Sequence, residues 1–295
     1  MKTPSKESQN PADVWLRWYY IVVGLFIAAG ALAGRLPRWP LFLGHHIAVL
    51  VAQEVFLRRY REKNRLLLFI RLVYPMFLFG SMYRETHELD QVIFARPLDL
   101  YFAGWDQIIF RCQPSIEFSR VLPGALFSEL MHLGYFSYFG IIVLLPLIWW
   151  FRRRPEMVRR RVFDLTFTFS VFYLIFIILP VQGPRVQLPG AIDVPRTGYL
   201  FGPFFEWLFR SAGIAGAAFP SSHCGVASLV LANSVRDIPK RWPIVAIFTL
   251  MLYLATVYGR FHYAVDVVYG AGLGLICYIA SPYLYKFLSR NLDKT

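Results

Sequence analysis

Residues Ser128–Arg161 read SELMHLGYFSYFGIIVLLPLIWWFRRRPEMVRRR. The part 128–151 is an apolar run long enough to cross the ~30 Å hydrocarbon core of a bilayer as a helix. The part 152–161 holds six arginines. A second apolar run, 162–180, follows at once. Two spans joined by an arginine block make a hairpin whose connection lies on the cytoplasmic side, because basic residues are retained there.

Working outward from this hairpin, six more runs suit a membrane: roughly 15–36, 40–57, 66–83, 222–236, 242–258 and 264–287. The sixth and seventh of the eight, 222–236 and 242–258, are short and carry small residues. Hydrophobic residues make up 57% of the chain and aromatics 18%, a composition above that of soluble domains. The expected fold is therefore all-α, a polytopic bundle of about eight transmembrane helices. The first 14 residues are polar, and no small-residue cleavage pattern follows the first run. Residues 1–14 thus read as a cytoplasmic tail rather than a secretory signal, ahead of one integral domain, 15–295.

Charge sets the expected orientation. With the N-terminus inside, the inner connections Arg58–Arg65, Arg152–Arg161 and Arg236–Arg241 and the tail from Lys286 are dense in Lys and Arg. The outer connections carry scattered arginines, no lysine and eight of the 18 acidic residues. Eight spans satisfy the positive-inside rule at every loop. The formal charge of +13 is then a topology signal and an attraction to anionic membrane lipids, not a nucleic-acid footprint. The expected location is the plasma (inner) membrane. Cys112 and Cys224 both fall near the outer face, and spacing alone does not pair them.

Two outer connections are too apolar for plain disorder. In 84–127, Leu98, Tyr101, Phe102, Trp105, Ile108 and Ile109 recur at helical spacing, with Asp99, Asp106 and Gln107 elsewhere around the turn. In 181–221, Phe204, Phe205, Leu208 and Phe209 repeat the pattern. Both suit helices lying in the membrane interface, either capping the bundle or forming a vestibule that admits a lipid sideways.

Two segments carry chemistry: Phe219-Pro220-Ser221-Ser222-His223, and Arg260-Phe261-His262-Tyr263-Ala264-Val265-Asp266. Both lie on the expected outer face. If the last helix begins near Tyr263, His262 and Asp266 share a face one turn apart. Asp266 then fixes the imidazole tautomer and leaves the other nitrogen as a nucleophile. Arg260 offers a two-pronged donor for phosphate oxygens. The plainer reading is a membrane-edge Arg and His meeting headgroups. Against it, Asp266 falls inside an apolar run, where a carboxylate is costly. Ser221 and Ser222 stand at a helix start, where free amides and hydroxyls bind anions. His223 points at that site, although an ordinary Pro-Ser helix start also explains these residues. Gln182-Gly183-Pro184-Arg185 adds a second arginine on the same face.

Together the three segments resemble the type 2 phosphatidic acid phosphatase superfamily over roughly residues 160–285. The resemblance implies a six-helix core, with His262 as the phosphorus nucleophile, Asp266 as its partner and His223 as the leaving-group acid. Arg185, Ser221, Ser222 and Arg260 would bind phosphate. The chain departs from the main pattern: Ile178 and Val186 stand where Lys and Pro are usual, Thr256 where Arg is usual, and Ser222 where Gly is usual. The run Ala218-Phe219-Pro220-Ser221-Ser222-His223 and the later His262-Tyr263-Ala264-Val265-Asp266 are closer to the inositol phosphorylceramide synthase-like, inositolphosphotransferase branch. The cluster Glu129, His132, Tyr135 and Tyr138 also looks like that branch, although a polar stripe facing the bundle interior explains it as well.

The resulting expectation is a membrane phosphatase or phosphotransferase of lipid metabolism, working through a phosphohistidine. Its substrate is a lipid phosphate, its acceptor is water or a lipid alcohol, and it needs no cofactor or metal. Two other classes compete. A metal hydrolase would use His223, His262 and Asp266 as ligands, but the neighbouring arginines would repel the ion. A lipid transporter would place its ionisable groups near the midplane, where Glu54, Arg71 and Asp164 are the candidates.

Overall fold

The computed structural model describes residues 10–61, 64–188, 198–212 and 216–294. The described residues are all helix and loop. Helices α1 (Pro11–Leu32), α2 (Trp39–Arg59), α3 (Arg65–Leu89), α6 (Ala125–Phe151), α7 (Pro155–Ile178), α10 (Ser222–Asp237), α11 (Trp242–Tyr258) and α12 (Ala264–Lys294) occupy the eight apolar runs. Six are long and apolar enough to span a membrane; α10 and α11, with 16 and 17 residues, fall short of the ~20 that a full crossing takes. Four of the eight, α1, α2, α7 and α11, have proline in the first two positions, where a missing N–H costs nothing.

The first helix starts earlier than the run 15–36 implies. Asn10 accepts from the amides of Ala12 and Asp13 at 2.9 and 3.3 Å, and Asp13 accepts from the Asn10 amide at 2.7 Å. This reciprocal capping fixes the start at Pro11. Asp13 also pairs with Arg71 of α3, so the arginine inside the third apolar run has its counter-ion on the first helix. Glu54 pairs with Arg17 and Arg58.

Helix α7 is the central post. It packs against α1, α3, α6, α10 and α12, and Phe163, Phe172, Phe176 and Ile177 are wholly buried along it. Helix α10 is enclosed by α6, α7, α11 and α12. That enclosure explains its small residues: at Gly225 and at Gly274 of α12 a Cβ would collide with the facing helix. Cys112, Cys224 and Cys277 are free thiols, so Cys112 and Cys224 are not joined.

Three short helices cover one end of the bundle: α4 (Asp99–Phe110), α5 (Pro114–Val121) and α9 (Phe201–Ala212). In α4 the apolar Tyr101, Trp105, Ile108 and Ile109 face outward, as an interfacial helix requires. Asp99, Phe102 and Asp106 are buried against the protein. In α9, Phe205 is fully buried and Phe204 is exposed; the side chains of Leu208 and Phe209 lie outside the described residues. A four-residue turn of helix, α8 (Pro184–Gln187), follows α7 at the same end.

Candidate active site

Three loops at the covered end are tied together by backbone hydrogen bonds. The Arg185 amide donates to the Arg260 carbonyl at 3.1 Å, Ala218 to Val181 at 2.9 Å, and Ser221 to Asp266 at 3.0 Å. Gly183 makes this possible. Its φ is +95°, and a Cβ would sit 2.7 Å from the Phe261 carbonyl oxygen, so only glycine fits.

Helix α4 pins the loops from the side. Asp99 accepts from the amides of Gln182 and Gly183 at 2.9 and 2.7 Å, and from the Tyr263 hydroxyl at 3.1 Å. Asp106 accepts from the amides of Ala264 and Val265 at 2.8 and 3.0 Å, capping the start of α12. Burial raises both carboxyls from their ordinary value, against the pull of these amides.

His262 sits in the turn between α11 and α12, its amide bonded to the Thr256 carbonyl at 3.2 Å. Its Nδ1 lies 2.7 Å from the Ala218 carbonyl and 3.5 Å from Asp266 Oδ2. A carbonyl only accepts, so the network places the proton on Nδ1 and the lone pair on Nε2. The nearest orienting group is therefore Ala218, with Asp266 one step behind it. Asp266 Oδ2 accepts from the Tyr263 amide at 2.9 Å, and Oδ1 has no hydrogen-bond partner among the described residues. Burial pushes the His262 ring down to about 4, so it is neutral at pH 7.

His223 occupies the first turn of α10, beneath the Ser221 N-cap, whose hydroxyl accepts from the Cys224 amide at 3.3 Å. Its ring centroid is 5.6 Å from that of His262. Its Nε2 is 3.0 Å from the Tyr135 hydroxyl, and Tyr138 lies against the ring at 4.3 Å.

Arg260 takes a left-handed conformation, φ 62°, that turns its chain inward. The buried guanidinium donates to Ser119 of α5 at 2.7 and 3.2 Å. It lies within electrostatic range of Arg120 and Arg185. Arg120 is exposed and paired with Glu117 at 2.6 Å, so the cationic groups nearest the two histidine segments are Arg185 and Arg260, whose loops are joined by a backbone hydrogen bond.

The structure thus brings His223, His262, Asp266, Ser221, Ser222, Arg185 and Arg260 to one end of the bundle. The Glu129 cluster divides. Tyr135 and Tyr138 touch His223. His132 is held by the Ser128 carbonyl at 2.7 Å, and Glu129 caps α9 by accepting from the amides of Tyr199, Leu200, Phe201 and Gly202. Sequence reasoning missed the anchoring by Asp99 and Asp106; the signal was two carboxylates inside an otherwise apolar helix. Ser119 carries no such mark. Among the described residues no group of three His, Cys, Asp or Glu is arranged to hold a metal ion.

The family model of the PAP2 superfamily matches residues 108–280, more than half of the chain. The match spans α5 to most of α12 and includes both histidine segments. No curated protein and no solved structure gives a significant match.

Proposed function

The chain belongs to the PAP2 superfamily of membrane phosphatases and phosphotransferases, and we propose that it transfers or hydrolyses the phosphoryl group of a lipid through a phosphohistidine. The observation that carries this reading is the pairing of the imidazoles. One has Nδ1 committed to a backbone carbonyl and Nε2 available; the other stands 5.6 Å away at a helix N-terminus.

In the first step the Nε2 lone pair of His262 attacks phosphorus. The N–P bond forms as the P–O bond to the lipid alcohol breaks, and His223 passes a proton to the departing oxygen. In the second step water or another alcohol attacks phosphorus, His223 takes its proton, and the N–P bond breaks to restore His262. Arg185, Arg260, Ser221, Ser222 and the first amides of α10 hold the phosphoryl oxygens as charge shifts between them. The Ala218 carbonyl and Asp266 stabilise the imidazole in its reacting orientation.

The alternation of basic connections supports an active site on the outer or periplasmic face. The wording of the two histidine runs supports an inositolphosphotransferase-like enzyme over a general phosphatase. Purified protein should convert one member of a labelled lipid-phosphate panel, scored by product mass with and without lipid alcohols. Turnover should persist in chelator and stop with vanadate. Loss in chelator that a divalent metal restores would overturn the mechanism.

A further inference from the structure

A cleft of about 660 Å³ runs along the bundle between α3 and α6 and ends at His223 and Ser222. Its volume lies within the ~300–1,000 Å³ typical of pockets that hold one small organic ligand. The cleft exists because α3 and α6 both pack on α7 but scarcely on each other. Phe169 and Tyr173 of α7 form its floor. Phe77 on one wall and Phe139 on the other are 75% and 51% exposed, so it opens sideways, where a membrane protein meets lipid rather than water.

Its two ends differ in chemistry. Near His223 the lining includes Tyr83, Tyr135, Tyr138 and Tyr173; further along it is wholly apolar, with Val73, Met76, Ile142 and Leu147. At Gly80, on the wall, an added Cβ would meet nothing within 4 Å. A glycine in mid-helix costs roughly 1 kcal/mol against alanine, and here its effect is to widen the cleft. His262 is not part of the lining. A phosphorus atom between the two rings, attacked from the His262 side, therefore has its leaving oxygen on the side that opens into the cleft.

We infer that this cleft binds the hydrocarbon chain of the lipid alcohol, the group that departs in the first step and that an acceptor alcohol replaces in the second. The chain lies between α3 and α6, and its terminal oxygen reaches His223 among the tyrosine hydroxyls. This inference rests on the proposed function for the identity of the leaving group, but occupancy of the cleft is testable without turnover.

Two measurements decide it. In the first, full-length protein in detergent is irradiated with hexadecanol carrying a diazirine midway along its chain. Label is expected on α3 and α6 peptides, reduced by at least about tenfold in Gly80→Phe, which fills the cleft. Label confined to other helices, or unchanged in Gly80→Phe, overturns the inference. In the second, the rate on hexadecyl phosphate is divided by that on nitrophenyl phosphate, which has no chain. Gly80→Phe and, from the facing wall, Val143→Trp should lower this ratio about tenfold or more, equivalent to ~1.4 kcal/mol of chain binding. An unchanged ratio in both variants overturns it. Should wild-type protein turn over neither ester, the proposed function fails, and the labelling still decides the cleft.

Discussion

The two ends of the bundle treat charge in opposite ways. Where α6 stops and α7 starts, arginine meets carboxylate directly. Arg161 donates to Asp237 at 2.6 and 2.7 Å and to Asp164 at 2.7 Å, and Trp149 adds a bond to Asp237 at 2.8 Å. At the histidine end, Asp99, Asp106 and Asp266 accept from backbone amides instead, and Arg260 donates to a serine hydroxyl. The first arrangement uses charge to hold helices together. The second uses carboxylates to hold the loops that carry Arg185, Arg260 and His262. One end is a clamp and the other the candidate site, although both contain arginine.

The sharpest way to break this comparison is to remove a group from each end. His223→Ala should lower turnover of an alkyl phosphate by about 100- to 10,000-fold, the usual contribution of a general acid. With nitrophenyl phosphate, whose phenolate leaves without a proton, the loss should be far smaller. Initial rates on both esters test this, and equal losses would mean that His223 only binds phosphate.

Arg161→Ala should do the reverse. Leaving Asp237 buried without its arginine costs about 3–5 kcal/mol of stability, while Asp164 keeps Arg160 at 3.1 Å. Thermal unfolding in detergent should shift clearly downward, while the rate per folded molecule on nitrophenyl phosphate stays near that of the parent. A variant that unfolds normally but loses activity would show that the clamp takes part in the chemistry.

The smallest expected effect is at Tyr135, which joins α6 to His223. Tyr135→Phe removes one hydrogen bond worth about 0.5–1.5 kcal/mol, or roughly two- to tenfold in rate. The loss should appear with alkyl phosphates and fade with nitrophenyl phosphate, following His223. The same loss on both esters would make Tyr135 a packing residue.

The clamp end is the more legible of the two in the sequence. Apolar runs and arginine blocks mark every helix that bears it, because bilayer thickness and charge retention act on composition. The candidate catalytic residues were legible as segments, because Pro-Ser-Ser-His and His-x-x-x-Asp place reactive groups at helix starts. Their support was not. Asp106 reaches the Ala264 amide across 158 positions, and Arg71 finds Asp13 across 58; no local pattern encodes such distances. The acceptor nearest His262 Nδ1 is a backbone carbonyl, a group that every residue carries. Helix α10 reads as a weak span because its neighbours, rather than lipid, surround it. Its small and polar residues answer to helix packing.

The central claim is that His262 becomes covalently phosphorylated. Protein mixed briefly with lipid phosphate labelled in its phosphoryl group, then quenched in alkali to preserve phosphohistidine, tests it most directly. Label is expected on the peptide containing His262, absent in His262→Ala and accumulating in His223→Ala with nitrophenyl phosphate, since the base for the second step is gone. Label on another residue, or full turnover by His262→Ala, would contradict it.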